Sequence, residues 1–229
     1  MGRGLFIVGS DTDVGKTFVT AGLTYTLKKT SKAIAYKPIQ SGGEYHDGQL
    51  KSMDIDFIKK TCELEYPDHM MNTYCFQPAV SPHIAAERQG TCLDFKRIQD
   101  HAEKLMTSFD YTLIEGAGGV IVPLSRQVYI YDLVKQLGLP VVLVTRAGVG
   151  TINHTCLSHA FLRSQGIEVK AIIVNQYKGT YYEEDNLSII KERTGVASLI
   201  TLDHVDDLRD IHQAFDRCLK EDQVKSWFE

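Results

Sequence analysis

Short apolar runs recur along the chain at residues 5–8, 33–36, 111–114, 140–144 and 171–174, with a weaker one at 197–201. They are near-continuous rather than alternating, which is how strands covered by helices on both faces read. Between them, patterns with helical spacing occupy roughly residues 16–29, 95–108, 130–137, 152–165, 183–194 and 205–219. The alternation predicts an α/β fold: a doubly wound, mainly parallel sheet with helices on both faces and right-handed crossovers. Residues 41–90 break the rhythm. That stretch is polar, carries scattered Gly and Pro, and has one short helix predicted near 54–61. A long excursion from a compact domain is usually functional. With no repeat, low-complexity tract or linker in the sequence, residues 1–229 are expected to form one domain.

Composition narrows the class. The 29 acidic and 25 basic residues are interspersed, for a net charge of −4, unlike the clustered Lys and Arg of a nucleic-acid footprint. No apolar run approaches the ~18 residues of a membrane span. The run at 5–8 is too short for a signal-peptide core. The five cysteines (Cys62, Cys75, Cys92, Cys156, Cys218) include no C-x-x-C pair and are odd in number, so reduced thiols are expected rather than a disulfide framework or a zinc knuckle. A cytoplasmic protein without nucleic-acid or membrane partners is the expectation.

Candidate chemistry is concentrated at strand ends. Gly9-Ser10-Asp11-Thr12-Asp13-Val14-Gly15-Lys16-Thr17 follows a predicted strand and opens a predicted helix. In such a loop successive N–H groups surround phosphate oxygens, and the helix N-terminus adds unpaired donors and a favourable dipole. Lys16 would neutralise the β/γ-phosphates and the Thr17 hydroxyl would ligate Mg²⁺. The loop departs from the usual G-x-x-x-x-G-K-[ST] pattern, because Ser10 stands at its first glycine and Gly9 comes one residue early. Glu115-Gly116-Ala117-Gly118-Gly119 follows the strand at 111–114, where a carboxylate faces the ligand crevice of an α/β sheet. Glu115 could supply a further Mg²⁺ ligand, with glycines allowing close approach. Lys37-Pro38-Ile39-Gln40-Ser41-Gly42, after the second strand, adds a cation and a hydroxyl, although an ordinary solvated turn would have the same composition. A second lysine near a triphosphate could stabilise charge developing in phosphoryl transfer.

These residues resemble the dethiobiotin synthetase family of biotin biosynthesis. The resemblance rests on the phosphate loop, on Tyr36-Lys37-Pro38-Ile39-Gln40-Ser41-Gly42 and on Glu115-Gly116-Ala117-Gly118-Gly119. Ser81-Pro82-His83-Ile84-Ala85-Ala86 and Gly150-Thr151-Ile152-Asn153-His154 support it. It implies an ATP-hydrolysing cyclo-ligase, a homodimer, that converts 7,8-diaminopelargonate and CO₂ to dethiobiotin through a carbamate and a phosphorylated carbamate. By position it implies Thr12, Lys16 and Lys37 as catalytic groups. Thr12, Lys37, Ser41, Gly150, Thr151 and Asn153 match substrate contacts, the last three from the partner subunit. Asp13, Val14, Gly15, Lys16, Thr17, Phe18, Asp54, Glu115, Gly116, Ala117, Gly118, Asn175 and Gln176 match the nucleotide site, with Asn175 at the adenine. Thr17, Asp54 and Glu115 match Mg²⁺ ligands, with Asp56 the alternative to Asp54 if the register slips by two. Independently of the resemblance, a helix opening at 150–153 offers free N–H groups to an anion. His83 and His154 are assigned no role.

Two other readings share the scaffold. Switch ATPases that partition chromosomes or position septa carry a second lysine early in the loop, where this chain has Asp11. Glutamine-dependent amidoligases need a glutaminase domain for which 229 residues leave no room.

Overall fold

Each apolar run of the sequence lies largely within a strand, and every strand of the main sheet but its edges is buried on both faces. A computed structural model describes residues 3–229. Its strands are β1 (Arg3–Gly9), β2 (Ala33–Ser41), β3 (Glu44–His46), β4 (Gln49–Lys51), β5 (Asn72–Phe76), β6 (Tyr111–Gly119), β7 (Val141–Arg146), β8 (Val169–Tyr177) and β9 (Ser198–Asp203). Its helices are α1 (Lys16–Lys28), α2 (Met53–Cys62), α3 (Asp68–Met71), α4 (Pro82–Arg88), α5 (Phe95–Ser108), α6 (Ile130–Leu137), α7 (Thr151–Ser164), α8 (Tyr181–Thr194), α9 (Ile211–Cys218) and α10 (Glu221–Ser226). Seven strands form a sheet in the order β5-β2-β6-β1-β7-β8-β9, and all its pairings are parallel. The doubly wound parallel sheet expected from the apolar runs is the architecture observed. Among the described residues, no helix is long and apolar enough to cross a membrane.

Strand β1 lies at the centre, between β6 and β7. The reversal of winding there creates the crevice beyond the strands' carboxyl ends where ligands bind in such sheets. Helix α1, which leaves that crevice, is buried on nearly all sides, including Val19, Ala21, Leu23 and Leu27. Its three buried threonines are tolerated because Thr20, Thr24 and Thr26 each donate to the carbonyl four residues back, at 2.9, 2.7 and 2.8 Å. Gly22 lets the chain's last helices approach: a Cβ there would stand 2.8 Å from the Phe215 ring. Helix α5 is the plainer amphipathic case, with Ile98, Ala102 and Leu105 inward and Asp94 capping the Arg97 N–H at 3.1 Å.

Four expectations need correction. Lys37 to Ser41 do not follow the second strand but belong to it: β2 runs on through Ser41. Residues 116–119 likewise lie within β6. The helix expected at 205–219 is a short 3-10 turn, Leu208–Asp210, followed by α9. The excursion at 41–90 holds more than one helix: α2, α3, α4, the edge strand β5 and the hairpin β3–β4. That hairpin turns through Asp47 and Gly48, both at positive φ (51° and 77°), the Asp-Gly signature of a tight primed turn. Its strands are three residues long, β3 exposed throughout and β4 half-buried at Leu50 and Lys51, so they are too short to carry an apolar signal.

Phe215 is wholly buried, edge-to-face on Phe18 with ring centroids 5.0 Å apart. Phe215→Ala should destabilise the protein by about 3–5 kcal/mol, read as a lower urea midpoint at an unchanged m-value.

Candidate active site

The site begins with strand register. The β2–β6 register ends with Tyr36 paired to Ile114, so Lys37 and Glu115 come next, side by side on adjacent strands. Both are buried. The Lys37 ammonium lies 2.7 Å from Glu115 Oε1 and 3.0 Å from the Gly116 carbonyl. It also lies 2.7 Å from Asp54 Oδ2, presented by the first turn of α2. Thr17, in the first turn of α1, donates to the same Glu115 Oε1 at 2.8 Å. Four segments therefore meet around the Lys37–Glu115 pair.

The two carboxylates decide the protonation state of Lys37. Burial opposes its charge, but Glu115 and Asp54 outweigh burial and hold its pKa above the ordinary lysine value. Asp54 shifts reciprocally: burial pushes its pKa up, and the charge and hydrogen bond of Lys37 bring it below the usual carboxylate value. Lys16 behaves oppositely. Burial and the charge of Lys37 lower it to about 8.

The phosphate loop is shaped by three backbone features. Gly15 caps α1 at φ 87°, and a Cβ there would fall 2.0 Å from the Asn175 amide nitrogen. Asp13 takes φ 57°, the left-handed region that favours Gly, Asn and Asp. A Cβ on Gly9 would meet the Asp11 carbonyl at 2.6 Å and the Lys16 ammonium at 2.9 Å. Lys16 itself donates to the Asp11 carbonyl at 3.3 Å. On the β6 side, three residues of β1, from Ile7 to Gly9, span five of β6, from Glu115 to Gly119. This bulge carries the glycine-rich segment past the loop.

Thr12, Asp13, Gly15, Lys16, Thr17, Lys37, Ser41, Asp54, Glu115, Ala117 and Gly118 line one cleft of about 590 Å³. Asp56 does not line it. Gly116 contributes its carbonyl to Lys37. The remaining nucleotide-site candidates lie elsewhere. The Val14 side chain is in the core and Phe18 packs against Phe215. Asn175 is buried, with its amide donating to the Val14 carbonyl at 3.1 Å, and Gln176 is exposed at φ 58°. Gly150 and Asn153 are exposed at the start of α7, outside the cleft, while Thr151 is buried. His154 Nδ1 lies 3.7 Å from Asp11 Oδ2. His83 is outside the cleft, although Ser81 and Pro82 beside it line one wall with Ala79 and Val80.

Gln40 was not anticipated. It lines the cleft, accepts from Ser52 at 2.7 Å and donates to the Ser41 carbonyl at 2.6 Å, which ties β2 to the N-cap of α2. Its place in the Lys37–Gly42 segment was the one available signal. Glu115 Oε2 and Ser41 Oγ are buried without a hydrogen-bond partner among the described residues. Buried polar atoms are normally paired, so both point to a ligand. Thr17, Asp54 and Glu115 offer hard oxygen donors that could hold a divalent cation. No cluster of three or more His, Cys, Asp or Glu side chains suited to a metal occurs among the described residues. Such a donor set fits an ion that takes most of its ligands from phosphate and water.

Comparison with known proteins places these features. A family model described as an AAA domain matches residues 3–212. The ATP-dependent dethiobiotin synthetase of Fusobacterium nucleatum is 43% identical over 189 residues, covering 82% of this chain and 85% of that protein. The enzyme of the same name from Anoxybacillus flavithermus is 38% identical over 207 residues, 89% of this chain and 92% of its own. The one from Clostridium acetobutylicum is 37% identical over 210 residues, 90% and 88%. Among solved structures, the septum site-determining protein MinD of Pyrococcus horikoshii aligns with a TM-score of 0.58 at 17% identity, covering 100% of this chain and 93% of its own. A ParA family ATPase of Chlorobium tepidum aligns with a TM-score of 0.57 at 11% identity, covering 100% and 99%. At those identities the likeness to the last two is one of fold alone.

The lowered Lys16 pKa gives a pH dependence of opposite sign for binding and for stability. Phosphate favours the ammonium, so affinity for a non-hydrolysable ATP analogue should be flat below pH 8. It should then weaken by up to about tenfold per unit as pH rises through 8. Between about 8 and 10.5 the unfolded chain binds more protons at this lysine than the folded one, so this lysine's contribution to stability rises over the same interval. Calorimetric titrations across pH 7–9.5, with thermal melts of the free protein, check both.

Proposed function

The chain belongs to the ATP-dependent dethiobiotin synthetase family, and we infer that it closes the urea ring of dethiobiotin from 7,8-diaminopelargonate and CO₂ at the expense of ATP. The observation that carries this reading is the single cleft where the phosphate loop, two buried lysines and two carboxylates converge. Switch ATPases take their second lysine from the phosphate loop itself, whereas here the second cation is Lys37 on the neighbouring strand, held between Asp54 and Glu115. The fold likeness to such proteins carries no function.

In this reading the chain's residues divide the work. The loop N–H groups from Asp13 to Thr17 and the Lys16 ammonium hold the triphosphate. Thr17, Asp54 and Glu115 would hold Mg²⁺, which supplies charge neutralisation at the transferring phosphoryl group. One amine of the substrate adds to CO₂ and gives up a proton to form a carbamate. A carbamate oxygen attacks the γ-phosphorus and ADP leaves. The second amine then attacks the carbamoyl carbon and expels phosphate, closing the ring. Lys37 and Lys16 stabilise negative charge that develops on the carbamate and phosphoryl oxygens. Thr12 and Ser41, both on the cleft wall, orient the diamine end.

The substrate carboxylate would dock at Gly150, Thr151 and Asn153 of a second copy, at the exposed N-terminus of α7. Two features support a homodimer. That helix start lies outside the cleft of its own chain, and the surface around it exposes Ile121, Val149 and Leu157, with Val149 87% accessible. Exposed apolar residues grouped beside a site mark an interaction surface.

Incubation with MgATP, bicarbonate and diaminopelargonate should yield dethiobiotin by mass spectrometry; its absence from active, folded protein rejects the reading. Lys16→Ala should lose at least ~10²-fold in turnover with its fold intact. Glu115→Gln and Asp54→Asn should raise the Mg²⁺ concentration for half-maximal activity, and Asp56→Asn should not. Asn153→Ala should raise the diamine KM by about ten- to a hundredfold, the worth of one charge-assisted hydrogen bond, with little change in the ATP KM.

A further inference from the structure

Ser10, the departure from the usual phosphate-loop pattern, does not line the main cleft. Its backbone N–H donates to the Val144 carbonyl at 2.8 Å, and its hydroxyl donates to Thr145 Oγ1 at 3.0 Å. Thr145, next to last in β7, is buried, as are Thr151 and Thr155, one turn apart at the start of α7. Thr155 donates to Thr145 at 2.9 Å. Thr145 and Thr151 are 3.1 Å apart, and Thr151 and Thr155 3.3 Å.

Donor counting fixes the remaining directions. Each hydroxyl has one hydrogen and two acceptor sites. Thr145 accepts from Ser10 and Thr155, so its own hydrogen goes to Thr151, and that of Thr151 goes to Thr155. Four hydroxyls make four bonds, and three of them close a ring whose only side-chain link outward among the described residues is Ser10. Valine would fill the same volume at each threonine without burying a polar atom. Each buried hydroxyl would be costly if left unpaired. A closed ring of this kind, mutually polarised, has one geometry rather than several. It binds the phosphate loop to the first turn of α7, whose N-cap, Gly150, makes no side-chain cap of its own.

We propose that the Thr145–Thr151–Thr155 hydroxyl ring, joined to the phosphate loop through Ser10, is a positioning element that makes nucleotide binding and diamine binding depend on each other. This rests on the reading that the start of α7 receives the substrate carboxylate. In that reading the helix serves the partner's substrate. The nucleotide held by one protomer then sets the helix that completes the other protomer's site. Such linkage is reciprocal: each ligand changes the affinity of the other by the same factor.

The test measures diaminopelargonate affinity by calorimetry, with and without a saturating non-hydrolysable ATP analogue and Mg²⁺. The wild-type ratio of the two dissociation constants should be at least ~5. In Thr145→Val, which keeps the side-chain volume but leaves Ser10 and Thr155 without an acceptor, the ratio should fall to within about twofold of unity. Thr145→Ser, which keeps the hydroxyl, should stay within about twofold of wild type. A general loss of stability would lower the melting temperature of both variants without separating their ratios. If Thr145→Val does not fold, Thr155→Val breaks the ring from the helix side and should give the same loss. Absence of coupling in the wild type, its retention in a folded Val variant, or failure of Thr145→Ser to preserve it overturns the proposal. Asn153→Ala reports on the carboxylate site alone: if it leaves diamine affinity unchanged, the α7 docking reading has failed, whatever the ratios show.

Discussion

A buried carboxylate midway along β6, next to the central strand β1, governs this structure. Glu115 is almost wholly inaccessible, and a charge so placed is tolerable only when paired and hydrogen-bonded. Lys37 and Thr17 meet that need through one oxygen, and Asp54 balances the lysine from the other side. Losing one partner of such a cluster costs about 3–5 kcal/mol, whereas exchanging the whole cluster for apolar groups is often neutral. Its presence is therefore a poor argument about stability and a good one about chemistry. The free oxygen of Glu115 points the same way.

Much of the local architecture follows from seating that cluster. β2 must continue past its apolar run so that Lys37 stands beside Glu115. α2 must be capped where Asp54 projects inward, which Ser52 does by accepting from the Ile55 N–H at 3.2 Å while bonded to Gln40 on β2. β6 must bulge through its glycines to clear the phosphate loop. The 41–90 excursion is thus the means by which the carboxylate of Asp54, paired to Lys37, and a cleft wall reach a site built on the sheet.

The same scaffold serves switch ATPases and small-molecule ligases, and the sheet alone does not separate them. The difference lies in which groups accompany the phosphate loop. Here Asp11 stands where the switch proteins' second lysine would be, its carboxylate accepting from the Thr12 N–H at 2.7 Å. The second cation of this site comes instead from Lys37 on the neighbouring strand.

The sequence by itself determined the strands of the sheet interior, because continuous apolar runs have no other stable environment. It also determined α5 and α6 to the residue, where the apolar period and the end signals agree. The phosphate loop was legible as well, since its backbone conformation demands glycines that are visible in the string. What only the tertiary structure decided is adjacency. Nothing local says that β6 inserts between β1 and β2, and without that order Lys37 and Glu115 are two polar residues 78 positions apart. The hairpin β3–β4, the half-buried edge strand β5 and the short helices α3 and α4 went unseen because their residues are stabilised by contacts with the rest of the fold rather than by a periodic apolar face. Gln40 and the threonine ring stayed hidden for a related reason: a hydrogen bond between distant side chains leaves no pattern along the chain.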